Sequence, residues 1–200
     1  VTVSLSAGDL TVGSLTATGQ SVTLSTVGAV IDGDTATDIT AESLSITAAS
    51  VGSSTDSLDT DVANLTLSVT GAAYLNEANA LNVVSASTGL FSLSSAGNTV
   101  LTSVTATGDV TVSLSAGDLT VGSLTATGKA VSLSTVGAVV DGDADTDITA
   151  ESLSITAASV GSTDSLDTDV ANLTLSVTGA TYVNEANALN VVSASTGLFS

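Results

Sequence analysis

The chain has 200 residues, of which 43% are hydrophobic and 2% aromatic, and its formal net charge at pH 7 is −19. Twenty acidic residues stand against one basic residue, Lys129, and His and Cys are absent. This balance excludes ordinary recognition of nucleic-acid phosphates, which requires clustered Lys and Arg, and it argues against binding to anionic membranes. The lack of Cys excludes disulfides and thiolate metal sites. The chain has no apolar run of about 18 residues, so we predict no membrane insertion.

Short segments with a two-residue alternation follow one another from the N-terminus. VTVSL begins at Val1, and similar alternation recurs around Leu44–Ile46 and Leu65–Val69. Each segment ends near Gly, Asn or Asp, residues that favour turns, and none shows the 3.6-residue period of an amphipathic helix. Alternation of this kind indicates strands with one buried face, so we predict an all-β protein.

The segments belong to a long internal repeat. VTVSLSAGDLTVGSLTATG begins at Val1 and returns unchanged at Val110. The second copy lacks one Ser of the pair Ser53-Ser54, so the offset between the copies then shortens by one, and eight substitutions separate them. We therefore predict repeat copy 1 over residues 1–109 and a truncated copy 2 over residues 110–200. Both would belong to one continuous structure, a fragment of a longer array.

Two architectures could use these strands. A parallel β-helix solenoid with turns of about 20 to 22 residues would place about five turns in each repeat. Tandem immunoglobulin-like β-sandwich domains are the alternative, since one such domain has about 100 residues. The core of a sandwich usually contains large side chains, whereas copy 1 has only Tyr74 and Phe91 as aromatics. The composition therefore favours the thin aliphatic core of a solenoid.

One segment of each copy is similar to a known group of proteins. AESLSITAASVGSSTDSLDTDVANLTLSVTGAAYLNEANALNVVSA, residues 41–86, resembles repeats of filamentous-haemagglutinin-like large bacterial exoproteins, and the similarity recurs over residues 150–194. The resemblance implies a right-handed parallel β-helix that is secreted to the bacterial cell surface. It also implies a role as a fibre, surface layer or adhesin.

Acidic residues form one dense cluster in each copy, and these clusters are the candidate metal sites. Alternating carboxylates in a loop are ligands typical of Ca²⁺, although the EF-hand pattern fails here. Thr146 occupies the position of the required Gly, and Ser152 that of the final Glu. A Ca²⁺ site and a solvated acidic loop both remain open. The candidate ligands are Asp32, Asp34 and Asp38 in copy 1, and Asp141, Asp143, Asp145 and Asp147 in copy 2.

The repeats favour a structural function over catalysis. Without His, Cys or Arg, a nucleophile would lack its usual activating base, and the same acids recur in both copies. We predict no enzymatic activity and a role in a rod, fibre or surface layer that associates with further copies of itself. The alternative is an adhesin module that binds a cell-surface or matrix ligand, with or without Ca²⁺. Asn64 and Asn172 match a glycosylation sequon, but we interpret them as ladder or turn residues.

Overall fold

The computed structural model describes residues 1–199, and within them all regular structure is β-strand. The strands are β1 Thr2–Leu5, β2 Leu10–Val12, β3 Leu15–Thr26, β4 Ala29–Asp32, β5 Ile39–Ala48, β6 Ser50–Val51, β7 Leu58–Val69, β8 Ala73–Glu77, β9 Leu81–Thr88, β10 Phe91–Ser95, β11 Thr99–Leu101, β12 Val104–Ala106, β13 Val110–Leu114, β14 Leu119–Val121, β15 Leu124–Thr135, β16 Ala138–Asp141, β17 Ile148–Ala157, β18 Ser159–Val160, β19 Leu166–Val177, β20 Ala180–Thr181, β21 Val183–Glu185, β22 Asn190–Ser195 and β23 Leu198–Phe199.

These strands form a β-solenoid of about 10 turns. Each turn stacks on the one before it through parallel pairing, as where β1 lies beside β3 with Thr2 opposite Thr23. The prediction of an all-β parallel β-helix is confirmed. Immunoglobulin-like sandwiches are excluded because their sheets are antiparallel, whereas the sheet of this solenoid is parallel throughout.

The two-residue alternation determines which side chains fill the core. In β7, Leu65, Leu67 and Val69 are buried while Thr66 and Ser68 between them are exposed. The core is one almost entirely aliphatic cluster, in which each inward side chain stacks on its partner in the neighbouring turn. Phe91, which is fully buried, lies between Ala73 on the preceding turn and Val110 on the next.

Polar ladders run along the outside of the solenoid. The amide of Asn82 donates a hydrogen bond to the side-chain oxygen of Asn64 at 3.3 Å, and Thr102 donates to Asn82 at 3.0 Å. In copy 2, Asn190 donates to Asn172 at 2.9 Å. Asn64 and Asn172 are therefore ladder residues, as predicted.

The turns vary in length more than the sequence predicted. The turn from Leu58 to its partner Leu75 is short. The turn from Leu15 to its partner Ile39 is longer than that turn by seven residues. The long turn contains the acidic loop between β4 and β5. Insertions at a corner are tolerated because the stacked strands on either side keep their pairing.

The repeat advances by five turns and part of a sixth. From Leu24 the register passes through Ile46, Leu67, Ala86 and Val104, and it completes the fifth turn at Leu124. The copy 2 counterpart of Leu24 is Leu133, which lies nine positions further along the next turn. That turn is a long one, running from Leu124 to its partner Ile148. Equivalent residues of the two copies therefore lie about a third of a turn apart around the axis.

Candidate functional site

The acidic cluster of copy 1 forms a corner between two strands. Asp32 is the last residue of β4 and Asp38 directly precedes β5. Between them the loop folds through successive Asx turns. The backbone N–H of Asp34 donates to Asp32 Oδ1 at 2.8 Å, and that of Ala36 donates to Asp34 Oδ1 at 2.7 Å.

Asp38 is the buried member of this corner. Its side chain is fully buried, and Oδ2 accepts a hydrogen bond from the backbone N–H of Asp59 at 3.1 Å. The other oxygen, Oδ1, is also buried and receives no hydrogen bond. Burial raises the pKa of Asp38 to about 6, and the neighbouring Asp32 carboxyl, which lies within hydrogen-bonding reach, adds to the increase.

Copy 2 builds the same corner from Asp141 and Asp147. Asp147 is fully buried, accepts a hydrogen bond at Oδ2 from the backbone N–H of Asp167 at 2.8 Å, and receives none at Oδ1. Burial raises the pKa of Asp147 to about 7, with Asp141 and Asp143 as further causes. The pKa of Asp141 is also raised, mainly by burial, and its Oδ2 receives no hydrogen bond.

The structure separates the predicted ligands into two groups. Asp32 and Asp38 are buried, whereas Asp34 is exposed. In copy 2, Asp143 and Asp145 are exposed as well, and Asp143 accepts a hydrogen bond from the backbone of its own loop. Across residues 1–199, no group of three or more Asp, Glu, His or Cys side chains is arranged to hold a metal ion. What each corner brings together is a pair of carboxyl groups.

The acidic loop packs closely against the backbone of the preceding turn. A Cβ atom added to Gly33 would lie 2.5 Å from the carbonyl oxygen of Val12, and one added to Gly142 would lie 2.6 Å from that of Val121. Only glycine fits such a close backbone approach. This contact holds the loop against the preceding turn, beside the paired acids.

Sequence reasoning missed a third buried acid of copy 1, Glu77. Its carboxyl group, only 1% exposed, accepts hydrogen bonds from Thr60 Oγ1 at 2.8 Å and from the backbone N–H groups of Val62 and Asn79. Burial raises its pKa to about 7, against the opposing effect of these donors. The alternation could have revealed it, because Glu77 follows the inward-facing Leu75 by two positions.

An open groove lies beside this acid and recurs in each copy. In copy 1 its volume is about 330 Å³, and in copy 2 about 260 Å³. Both grooves lie where the register shifts, after Ala17 and after Ala126. Their polar lining in copy 1 consists of Thr18, Thr40, Glu42, Asp61 and Asn79.

Comparisons with protein-family models, curated proteins and solved structures gave no match to this chain. The described residues contain no helix long and apolar enough to cross a membrane. The fold itself defines the class: the chain is a β-solenoid repeat protein.

Proposed function

We propose that this chain is a structural segment of a secreted bacterial cell-surface protein, and that it forms the shaft of a rod, fibre or surface layer. The observation that carries the proposal is the continuity of the solenoid across the repeat boundary. Phe91 to Ser95 of copy 1 pair residue by residue with Val110 to Leu114 of copy 2. The backbone N–H of Phe91 donates to Asp109 at the boundary, at 3.1 Å.

Such a junction lets length grow by duplication. Each turn covers the strand edge of its neighbour, and stability accumulates from nearest-neighbour contacts. A further copy needs no new interface, because it meets its predecessor through the same ladder. The resemblance of residues 41–86 to filamentous-haemagglutinin-like exoproteins supports the same assignment to the cell surface. A surface dense in acids and poor in bases also keeps long rods apart and soluble.

Electron microscopy of purified chains tests the shaft function. Turns about 4.8 Å apart, with slightly more than five per repeat, predict a rise of about 25 Å per copy. The chain should be compared with a longer one that carries one additional copy of the repeat. We expect thin, unbroken particles that differ in length by this rise. Particles of equal length, or chains of separate beads, would contradict the proposal.

The two equivalent grooves favour a second candidate function, that of an adhesin module. Hydroxyl, amide and carboxylate groups line an open depression in each copy, and such groups bind polar ligands such as glycans. A glycan and matrix-protein binding screen separates the two functions. An adhesin should bind a defined ligand saturably. Replacement by Asn of Asp61 and of its counterpart Asp169, which lines the groove of copy 2, should weaken that binding. A shaft should show no saturable binding.

A further inference from the structure

In each copy, one oxygen of a buried carboxyl group makes no hydrogen bond of good geometry, although the backbone N–H of Gly33 or Gly142 approaches that carboxyl group. Asp38 Oδ1 and Asp147 Oδ1 are shielded from solvent and receive no hydrogen bond, although both side chains are fully buried. Burying an unpaired carboxylate oxygen costs free energy that a folded chain usually avoids. The same unpaired oxygen occurs in both copies, at equivalent positions of the acidic loop. The two loops differ in sequence only at their tips.

A second carboxyl group faces each of these oxygens. Asp32 lies within hydrogen-bonding reach of Asp38, and the charge of Asp141 acts on Asp147. Asp32 is itself only 7% exposed, whereas its counterpart Asp141 is half-buried. The chain has one basic residue in all, so it cannot neutralise both pairs with its own side chains. A proton shared within the pair or a bound cation would neutralise these charges.

We propose that each repeat binds one calcium ion at the paired carboxylates of its acidic corner, formed by Asp32 with Asp38 in copy 1 and by Asp141 with Asp147 in copy 2. Calcium accepts six to eight oxygen ligands in flexible geometry, so backbone carbonyl oxygens and water can complete a site that offers two carboxylates.

The proposal does not depend on the shaft function, and it narrows the ligand set predicted from sequence. The exposed Asp34 and Asp143 cap the backbone of their own loops and are excluded from the site, as is the exposed Asp145. A bound ion would tie the end of one strand, at Asp32 or Asp141, to the start of the next. Since equivalent residues lie about a third of a turn apart, successive ions would lie on different sides of the solenoid.

Calorimetric titration of Ca²⁺ into the metal-free chain at neutral pH tests the proposal. We expect two ions per chain, one ion after Asp38→Asn, and none after Asp38→Asn with Asp147→Asn. Asn retains an acceptor for the N–H of Asp59 or Asp167, removes the charge and replaces the other carboxylate oxygen by an amide NH2 group. The matched control is Asp34→Asn with Asp143→Asn, which should still bind two ions. Circular dichroism should show that every variant keeps its β structure.

A parallel thermal melt distinguishes a calcium ion from a shared proton. With calcium sites, millimolar Ca²⁺ should raise the Tm of the parent chain, whereas the Tm of the double Asp38/Asp147 variant should not change. The proposal is overturned if the parent chain shows no saturable binding at millimolar Ca²⁺. It is also overturned if the control pair loses the ions, or if the double variant retains them.

Discussion

Truncation of Phe91 to Ala tests whether the narrow core is tightly packed. Phe91 is fully buried, and its neighbours along the stack are Ala73 and Val110, which are too small to fill the space it would leave. The strands cannot move closer together, because ladder hydrogen bonds hold them about 4.8 Å apart. Removing a buried Phe side chain that the surroundings cannot replace costs about 3–5 kcal/mol. We expect a loss of about 4 kcal/mol in the free energy of unfolding.

Urea unfolding followed by circular dichroism measures this loss, since the chain has no Trp for fluorescence. Phe199, the counterpart of Phe91 in copy 2, provides a matched control because it is 45% exposed in this chain. Phe199→Ala should cost less than about 1 kcal/mol, as expected for a partly solvated side chain. Equal losses for the two variants, or a loss below about 1 kcal/mol for Phe91→Ala, would refute the tight packing inferred here.

Three further predictions follow from the buried acids, the glycine contacts and the offset between copies. The pKa values of Asp38, Glu77 and Asp147 are raised to about 6, 7 and 7, so the folded chain binds protons more tightly than the unfolded chain. Stability should be greatest below about pH 4 and should fall as the pH rises to about 7. For Glu77 alone the rise from 4.5 corresponds to about 3 kcal/mol. Thermal melts without Ca²⁺, in about 1 M NaCl to screen surface repulsion, should show a Tm that falls as the pH rises. A Tm that rises with pH would contradict this prediction. Gly89→Ala should destabilise the solenoid by about 1–3 kcal/mol, because the added Cβ would lie 2.7 Å from the carbonyl oxygen of Gly71. Gly13→Ala is the control in the urea unfolding measurement, since its Cβ would meet only Asp34 Oδ2 at 3.4 Å. Similar losses of stability in the two variants would contradict the predicted clash at Gly89. Finally, electron-dense labels attached to Asp34→Cys and Asp143→Cys should project from different sides of the rod in micrographs. Labels on the same side would contradict the offset of about a third of a turn between equivalent residues of the two copies.

The local physics of the strands could be read from the sequence. Alternation at Leu65, Leu67 and Val69 specifies one buried face wherever the strand lies, because successive side chains of a strand point to opposite sides. The shortage of aromatics indicates a thin core. The outward position of Asn64 in such a strand, repeated turn after turn, is what produces a polar ladder. For these reasons the fold class and the ladders were predictable.

The stacking register depends on the whole turn and was not predictable in the same way. Alternation shows that Leu24 faces inward, but it does not show that Ile46 lies above it. The partner depends on how many residues each corner takes up. Because the corners differ, the turns differ in length, and the repeat ends part of the way around a sixth turn. Only the assembled solenoid shows that Leu133 stacks on Val112 and not in the column of Leu24.

The candidate site was likewise predictable only in part. Sequence identified the cluster of Asp32, Asp34 and Asp38 by its composition and spacing, because carboxylates close together in a chain are close together in a loop. It could not separate the buried pair from the exposed Asp34. That separation arises where Gly33 presses on the carbonyl oxygen of Val12, a residue of the preceding turn. Burial, and with it the raised pKa of Asp38, comes from contacts between turns, which chain order alone does not specify.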